Sequence, residues 1–337
     1  MAYDKPWKSY QEQLNQLTQR GLIVTDETKA LYYLERIGYY RLSGYLFPFR
    51  ERSEICCPLS AVNGKKFKRG STDRIVLDEF KAGSRFQDAV DLYVFDKKLR
   101  LLIMDALERI EIGLRVDISH SLGKKDPFAY LKPELLFEDF STKLNEKTGL
   151  SDHHQWLSKQ ATLVSRSKED FIKHNKEKYG FPLPIWVICE VWDFGTLSTL
   201  FAGMTVADQD RIANKYGISN GRIFASWLRS LNYLRNVCAH HSRLWNRNII
   251  DQPKLPNVGE ISWIELFRGK EHLLARPFLL LCIAKHFLET INPNSTWIQR
   301  LQQLLIAFPD LQHLGINLAG MGAIEGYEQW DYKINRQ

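Results

Sequence analysis

Residues 235–247 read RNVCAHHSRLWNR, two adjacent histidines among three arginines with no acidic residue in the segment. An imidazole with a pKa near ~6.5 takes or gives a proton at neutral pH. A guanidinium holds two phosphoryl oxygens in its planar fork and stabilises charge developing there. An asparagine orients either partner. Those are the parts needed to cleave RNA through its own 2′-hydroxyl. A base removes the 2′ proton, the alkoxide attacks the adjacent phosphorus, and an acid protonates the leaving 5′ oxygen. The product then carries a 2′,3′-cyclic phosphate, no metal enters the scheme, and DNA is spared. One imidazole per chain makes an incomplete acid–base pair, so two copies facing each other in a dimer are a natural solution.

The side chains need an element to position them. Taken as a helix over 228–247, at about 100° per residue, the segment divides into two faces. Leu234, Val237, Cys238, His241, Leu244 and Trp245 fall on an apolar face. Arg229, Asn232, Asn236, His240, Arg243 and Arg247 fall opposite, with Arg235 on the flank of that stripe. His241 is therefore expected to look inward and His240 outward. The plain alternative for the stripe is an exposed charged face. Exposed faces usually mix signs through i, i+4 pairs, however, and like charges three or four apart repel by a few tenths of a kcal/mol. A bound polyanion reverses that cost.

The rest of the chain is read in the same way. Its 337 residues are 44% hydrophobic and 12% aromatic, enough for a real core, with a formal net charge of +7. A basic balance favours polyanions such as nucleic acid, though solubility alone also explains it. Five cysteines without a CxxC pair suit a reducing cytoplasm. The N-terminus shows no apolar signal segment. The longest apolar run, PFLLLCIA at 277–284, is too short to span a bilayer. A cytoplasmic protein with no membrane partner is expected.

Helical periodicity dominates. Short helices are expected over PWKSYQEQLNQLTQRG and TDETKALYYLERIG, and one long core helix over 85–123. Surface helices are expected within 140–178, and a buried helix over PLPIWVICEVWDFGTLSTLF. Further helices follow over TVADQDRIANKYG, NGRIFASWLRSLNYLRNVCAHHSRLWNR, KEHLLARPFLLLCIAKHFLETIN and STWIQRLQQLLIAFP. A small hairpin or basic loop at 63–71 is the one strand signal, and no linker splits the chain. The fold class is mainly α.

At this point the residues carry a resemblance. RNVCAH matches the Arg-x4–6-His signature of HEPN-type ribonucleases, including a polar residue directly after the arginine. In addition, YYLERIGYYRLSGYLFPFR, FDKKLRLLIMDALERIEIGLR, PLPIWVICEVWDFGTLSTLF and LRNVCAHHSRLWNR occur in the order found in Abi-like abortive-infection proteins of the AbiD/AbiF kind. The resemblance covers roughly 25–250. It implies a HEPN-like helical bundle over that range, an N-terminal helix over 1–24, and a C-terminal helical extension over 251–337 packed on the core. It also implies metal-independent RNA cleavage at a composite dimer site, in antiphage defence or toxin–antitoxin control, with a structured noncoding RNA as a possible restraining partner. Carried onto this chain, the catalytic arginine is Arg235, the accessory polar residue Asn236 and the histidine His240. His241 is the lesser candidate.

Other segments are read both ways. Arg36, Tyr40 and Arg41 lie in ERIGYYRLSGYLFPFR, where aromatics and arginines could grip unpaired RNA; the alternative is that the aromatics pack inward. Lys65 and Lys66 sit in NGKKFKRGSTDR, a plausible backbone contact or a solvated loop. Arg229, Arg243 and Arg247 complete the expected RNA-contacting set. Asp105, Glu108 and Glu111 lie among arginines and read as ion pairs rather than a metal site, and His153 and His154 lack a second ligand pair at zinc spacing. No nucleotide-binding or hydrolase motif is present, so no cofactor or metal is expected. The reading is a dimeric, mainly α endoribonuclease. The competing class is a helical RNA-binding module that holds a structured noncoding RNA without cutting it.

Overall fold

The computed structural model describes residues 6–54, 74–324 and 326. The expected hairpin or basic loop at 63–71, with Lys65 and Lys66, lies outside the described residues. The fold is mainly helical, with fourteen α-helices and one two-stranded antiparallel sheet among the described residues. None of these helices is long and apolar enough to cross a membrane. The described residues fall into two compact units. One lies within Met1–Leu99 and Gln303–Gly320, the other within Arg100–Gln302 and Met321–Gln337.

The first unit opens with α1 (Tyr10–Gln19), started by a capping box in which Ser9 and Glu12 satisfy each other's backbone N–H groups. Then come α2 (Glu27–Ile37), α3 (Tyr39–Leu46), β1 (Arg50–Arg52) and β2 (Val76–Phe80). The strands pair Arg50 with Phe80 and Arg52 with Val76. Arg20 and Arg50 both hold Asp78, each at 3.1 Å. The long helix α4 (Phe86–Gly123) then runs as one element through the predicted range. The division between the units falls inside it, at 99/100. A helix interior carries no shift in composition, so no sequence signal marks that point.

In the second unit, Ile103, Leu107, Ile110, Leu114, Ile118 and Leu122 of α4 are buried at three- and four-residue spacing, as one face of a helix requires. Next come α5 (Glu138–Thr142), α6 (Asp152–Arg166) and α7 (Asp170–Tyr179). The buried helix expected over 182–201 is broken. A short α8 (Ile185–Ile188) runs into a single 3-10 turn, and α9 (Phe194–Ala202) starts afresh. Asp193 causes the break, because its carboxylate caps the Thr196 N–H at 2.7 Å and the Thr196 hydroxyl at 2.8 Å. Helices α10 (Val206–Lys215) and α11 (Gly221–Ala239) pack together, and α11 also packs on α9.

The helix expected over 270–292 is broken too, into α12 (Glu271–Leu274) and α13 (Pro277–Ile291). Pro277 lacks an N–H and so begins a helix rather than continuing one. Helix α13 is buried on every side from Pro277 to Leu288. Gly113 of α4 lets it come close, since a Cβ there would meet Ile291 Cδ1 at 2.9 Å. Tyr216, Phe224 and Phe287 pack ring against ring at 4.9–5.1 Å. Helix α14 (Trp297–Ile306) closes the list, with Trp297 Nε1 donating to the Leu102 carbonyl at 2.7 Å.

Within α13, His286 is buried, and its Nε2 meets the Tyr216 carbonyl at 2.7 Å. A carbonyl can only accept, so Nε2 carries a proton. Burial pushes the imidazole pKa down to about 4. The unfolded histidine binds a proton below about 6.5, so the unfolded chain gains protons before the folded one does. Stability should therefore fall by about 3 kcal/mol as pH drops from about 6.5 to about 4. Urea unfolding across that range measures the slope, and His286→Gln should flatten it. An unchanged slope in the variant would contradict the assignment.

Candidate active site

Helix α11 carries the site. Its first turn is fixed by Asn220, whose side-chain oxygen accepts the Arg222 N–H at 2.9 Å. Leu228, Leu231, Leu234, Val237 and Cys238 are buried on one side. Arg229 is exposed, while Asn232, Arg235 and Asn236 are half-buried. As far as Ala239 the two-face reading holds.

There the helix ends, which corrects the expected helix over 228–247. His240 is the C-cap, and its N–H bonds to the Asn236 carbonyl at 3.0 Å. His241 then takes φ 55°, the one positive φ outside glycine among the described residues. Its N–H reaches the Cys238 carbonyl and the Ser242 N–H reaches the Val237 carbonyl, both at 3.0 Å. That crossed pair of bonds is a Schellman closure with a histidine at the left-handed position. Arg100 of α4, itself buried, holds the turn from outside by donating to the Ser242 carbonyl at 3.3 Å.

The two histidines are consequently placed by a turn and not by a helical wheel. His241 is exposed, which corrects its expected packing beside Leu244 and Trp245. Those two are buried, but on chain that has already left the helix. His240 is exposed as expected, and it still lies one helical turn beyond Asn236. Arg235 precedes Asn236, and its Nη1 comes to 3.4 Å from the Asn236 amide oxygen. The structure therefore brings Arg235, Asn236 and His240 to one end of one helix.

The absence of acid within the segment does not make the site free of acid. Glu111, on α4, accepts from Arg115 at 3.2 Å, and the charge of Arg235 also acts on it. Burial raises the Glu111 carboxyl above its ordinary pKa, and the charges of Arg115 and Arg235 offset part of that rise. Arg115 in turn reaches Glu190 at 3.4 Å and the Trp192 carbonyl at 3.1 Å. Nearby Asp193 is held by Lys159 at 3.0 Å. Burial alone would raise the Asp193 pKa, but its bonds to Thr196 and Lys159 outweigh that and lower it. From the sequence Glu111 reads as an ion-pair carboxylate and not as a neighbour of Arg235. Its place among arginines marks an ion pair, which Arg115 completes, but neither helix pattern shows that the charge of Arg235 also acts on it.

The other expected contacts scatter. Arg243 is half-buried. Arg247 donates from Nε to the Tyr233 hydroxyl at 2.8 Å and stacks over that ring at 5.7 Å. Arg36, Tyr40 and Arg41 are exposed on α2 and α3, in the other compact unit, and Arg36 lies over the Tyr32 ring at 5.6 Å. Tyr45 and Phe49 of the same stretch are buried, and the Tyr45 hydroxyl donates to Asp96 at 2.6 Å. Asp105 pairs with Arg109 at 2.8 Å and with Arg300 at 2.5 Å, so Asp105 and Glu111 are ion-pair carboxylates, as expected.

The family profile described as Abi-like protein matches residues 32–246, from the aromatic stretch on α2 to just beyond the histidine turn. No curated protein and no solved structure matches the chain.

The turn makes a direct stability prediction. A side chain in the left-handed region costs roughly 1 kcal/mol that glycine does not. His241→Gly should raise the thermal midpoint, or the urea midpoint, by an amount equivalent to about 1 kcal/mol. A loss of stability in that variant would show that the His241 side chain, and not its backbone, is what the turn needs.

Proposed function

The chain belongs to the Abi-like protein family, and from that premise we propose that it is a metal-independent endoribonuclease of the HEPN type. Membership points to abortive-infection phage defence and is compatible with a nuclease. The observation that carries the finer reading is the end of α11. An exposed imidazole follows one turn after a half-buried asparagine, with an arginine alongside.

In this reading His240 moves the proton, as base toward the 2′-hydroxyl or as acid toward the leaving 5′ oxygen. Arg235 holds the phosphoryl oxygens and stabilises charge developing on them. Asn236 orients Arg235 or the phosphate, and the Glu111 carboxylate acts on Arg235 as part of its counter-charge. The missing half of the acid–base pair comes from a second copy. Leu101, Ile112 and Val116 are exposed and lie within about 60° of one another around α4. Ile112 directly follows Glu111 in the chain, so a copy docked over Ile112 and Val116 would lie near the site. Arg229 and Arg243 extend the phosphate contacts along the strand, and Arg36, Tyr40 and Arg41 offer a further RNA contact on their own unit.

One preparation tests this. Purified protein in excess EDTA should cleave generic RNA and leave DNA of the same sequence intact. His240→Ala should slow cleavage by about 10²–10⁴-fold, whereas His241→Ala should retain most of it. The wild type should sediment as a dimer. Equal cleavage by both variants would remove His240 from the mechanism, and tight RNA binding without cleavage would make the protein a binding module.

A further inference from the structure

We propose that the last turn of α7 and the chain just beyond it form a stacking platform for an unpaired RNA strand, with Tyr179 and Phe181 as the rings and Lys176 and Lys178 as the cations. Tyr179 is 68% exposed and Phe181 is 64% exposed. They stand two residues apart, on either side of the helix-ending Gly180. Lys176 Nζ lies 5.2 Å from the Phe181 ring centre, and Lys178 Nζ lies 5.1 Å from that of Tyr179. Along α7 itself Ile172 alone is buried, so nearly the whole helix surface is open.

The lysines by themselves have an ordinary explanation. Cations in the last turn complement the partial negative charge at the carbonyl end of a helix. The rings have none, because two large aromatic side chains left in water forgo the gain of burial. A ring with an ammonium beside it suits a base stacked on the ring and a phosphate against the cation, and base stacking tolerates any sequence. A hydrophobic peptide is the poorer occupant, since covering the rings would also strip water from the exposed Lys178 ammonium, whereas Lys176 keeps its bond to the Val164 carbonyl at 3.3 Å. The choice of RNA rests on the proposed ribonuclease function. The stacking itself would serve any unpaired strand.

Helix α7 belongs to the same compact unit as α11. The platform would hold the substrate away from the reacting phosphate, as a positioning surface. Its loss should therefore raise KM for long RNA while leaving kcat near its wild-type value.

The test uses the full chain and a fluorescent 20-nucleotide 2′-O-methyl uridine strand, which cannot be cleaved through the 2′-oxygen. Tyr179→Ala with Phe181→Ala should weaken binding about tenfold or more, and Tyr179→Phe should leave it unchanged. Lys176→Gln with Lys178→Gln should weaken binding and flatten its salt dependence, which keeps the test open if the aromatic double variant does not fold. Wild-type binding in a folded aromatic variant, or no binding by the wild type, would overturn the platform. Because this probe reads binding alone, a failure of RNA cleavage in EDTA would count against the ribonuclease and leave the platform to be decided separately.

Discussion

Helix α11 stops where it does because the chain reverses at His241, with φ 55° closed by two crossed backbone bonds and clamped by Arg100 on the Ser242 carbonyl. Every other feature of the site depends on that termination. Had the helix continued, His241 would enter the core and the segment to Arg247 would remain a single stripe. Instead the final helical residues keep Arg235 and Asn236 against the body of the unit. His240 is released to solvent one turn further on. The turn also sends Leu244 and Trp245 back into the core, which anchors the chain on the far side.

Electrostatics follow from the same geometry. Arg235 is half-buried, and a guanidinium in that position needs a counter-charge or a bound anion. Glu111 supplies part of the counter-charge, but it is shared with Arg115, and burial weakens its hold on a full negative charge. The arginine is therefore held in place without being fully neutralised. That is the condition under which a phosphate bound at the same point gains most.

Much of this was legible in the residues. The long α4 follows from apolar spacing without a proline, and its observed span begins one residue from the predicted start. The outward placement of His240 also came from periodicity, because the helix persists to its preceding residue. The misreadings share one cause: a local interruption of the i, i+4 backbone ladder that a period of 3.6 does not register. Asp193 breaks one helix by capping the next, and Pro277 starts a new one. His241 ends α11 in a conformation usually left to glycine or asparagine. The approach of Glu111 to Arg235 was illegible for another reason, since it is a tertiary meeting of α4 and α11 and neither helix pattern contains it.

The central claim is that His240 and Arg235 break RNA through its own 2′-oxygen, with no metal-activated water. The ends of the products record this directly. RNA incubated with the protein in excess EDTA should yield fragments with 2′,3′-cyclic phosphate on one side of the cut and a 5′-hydroxyl on the other. Fragments bearing a 3′-hydroxyl and a 5′-phosphate would contradict the account.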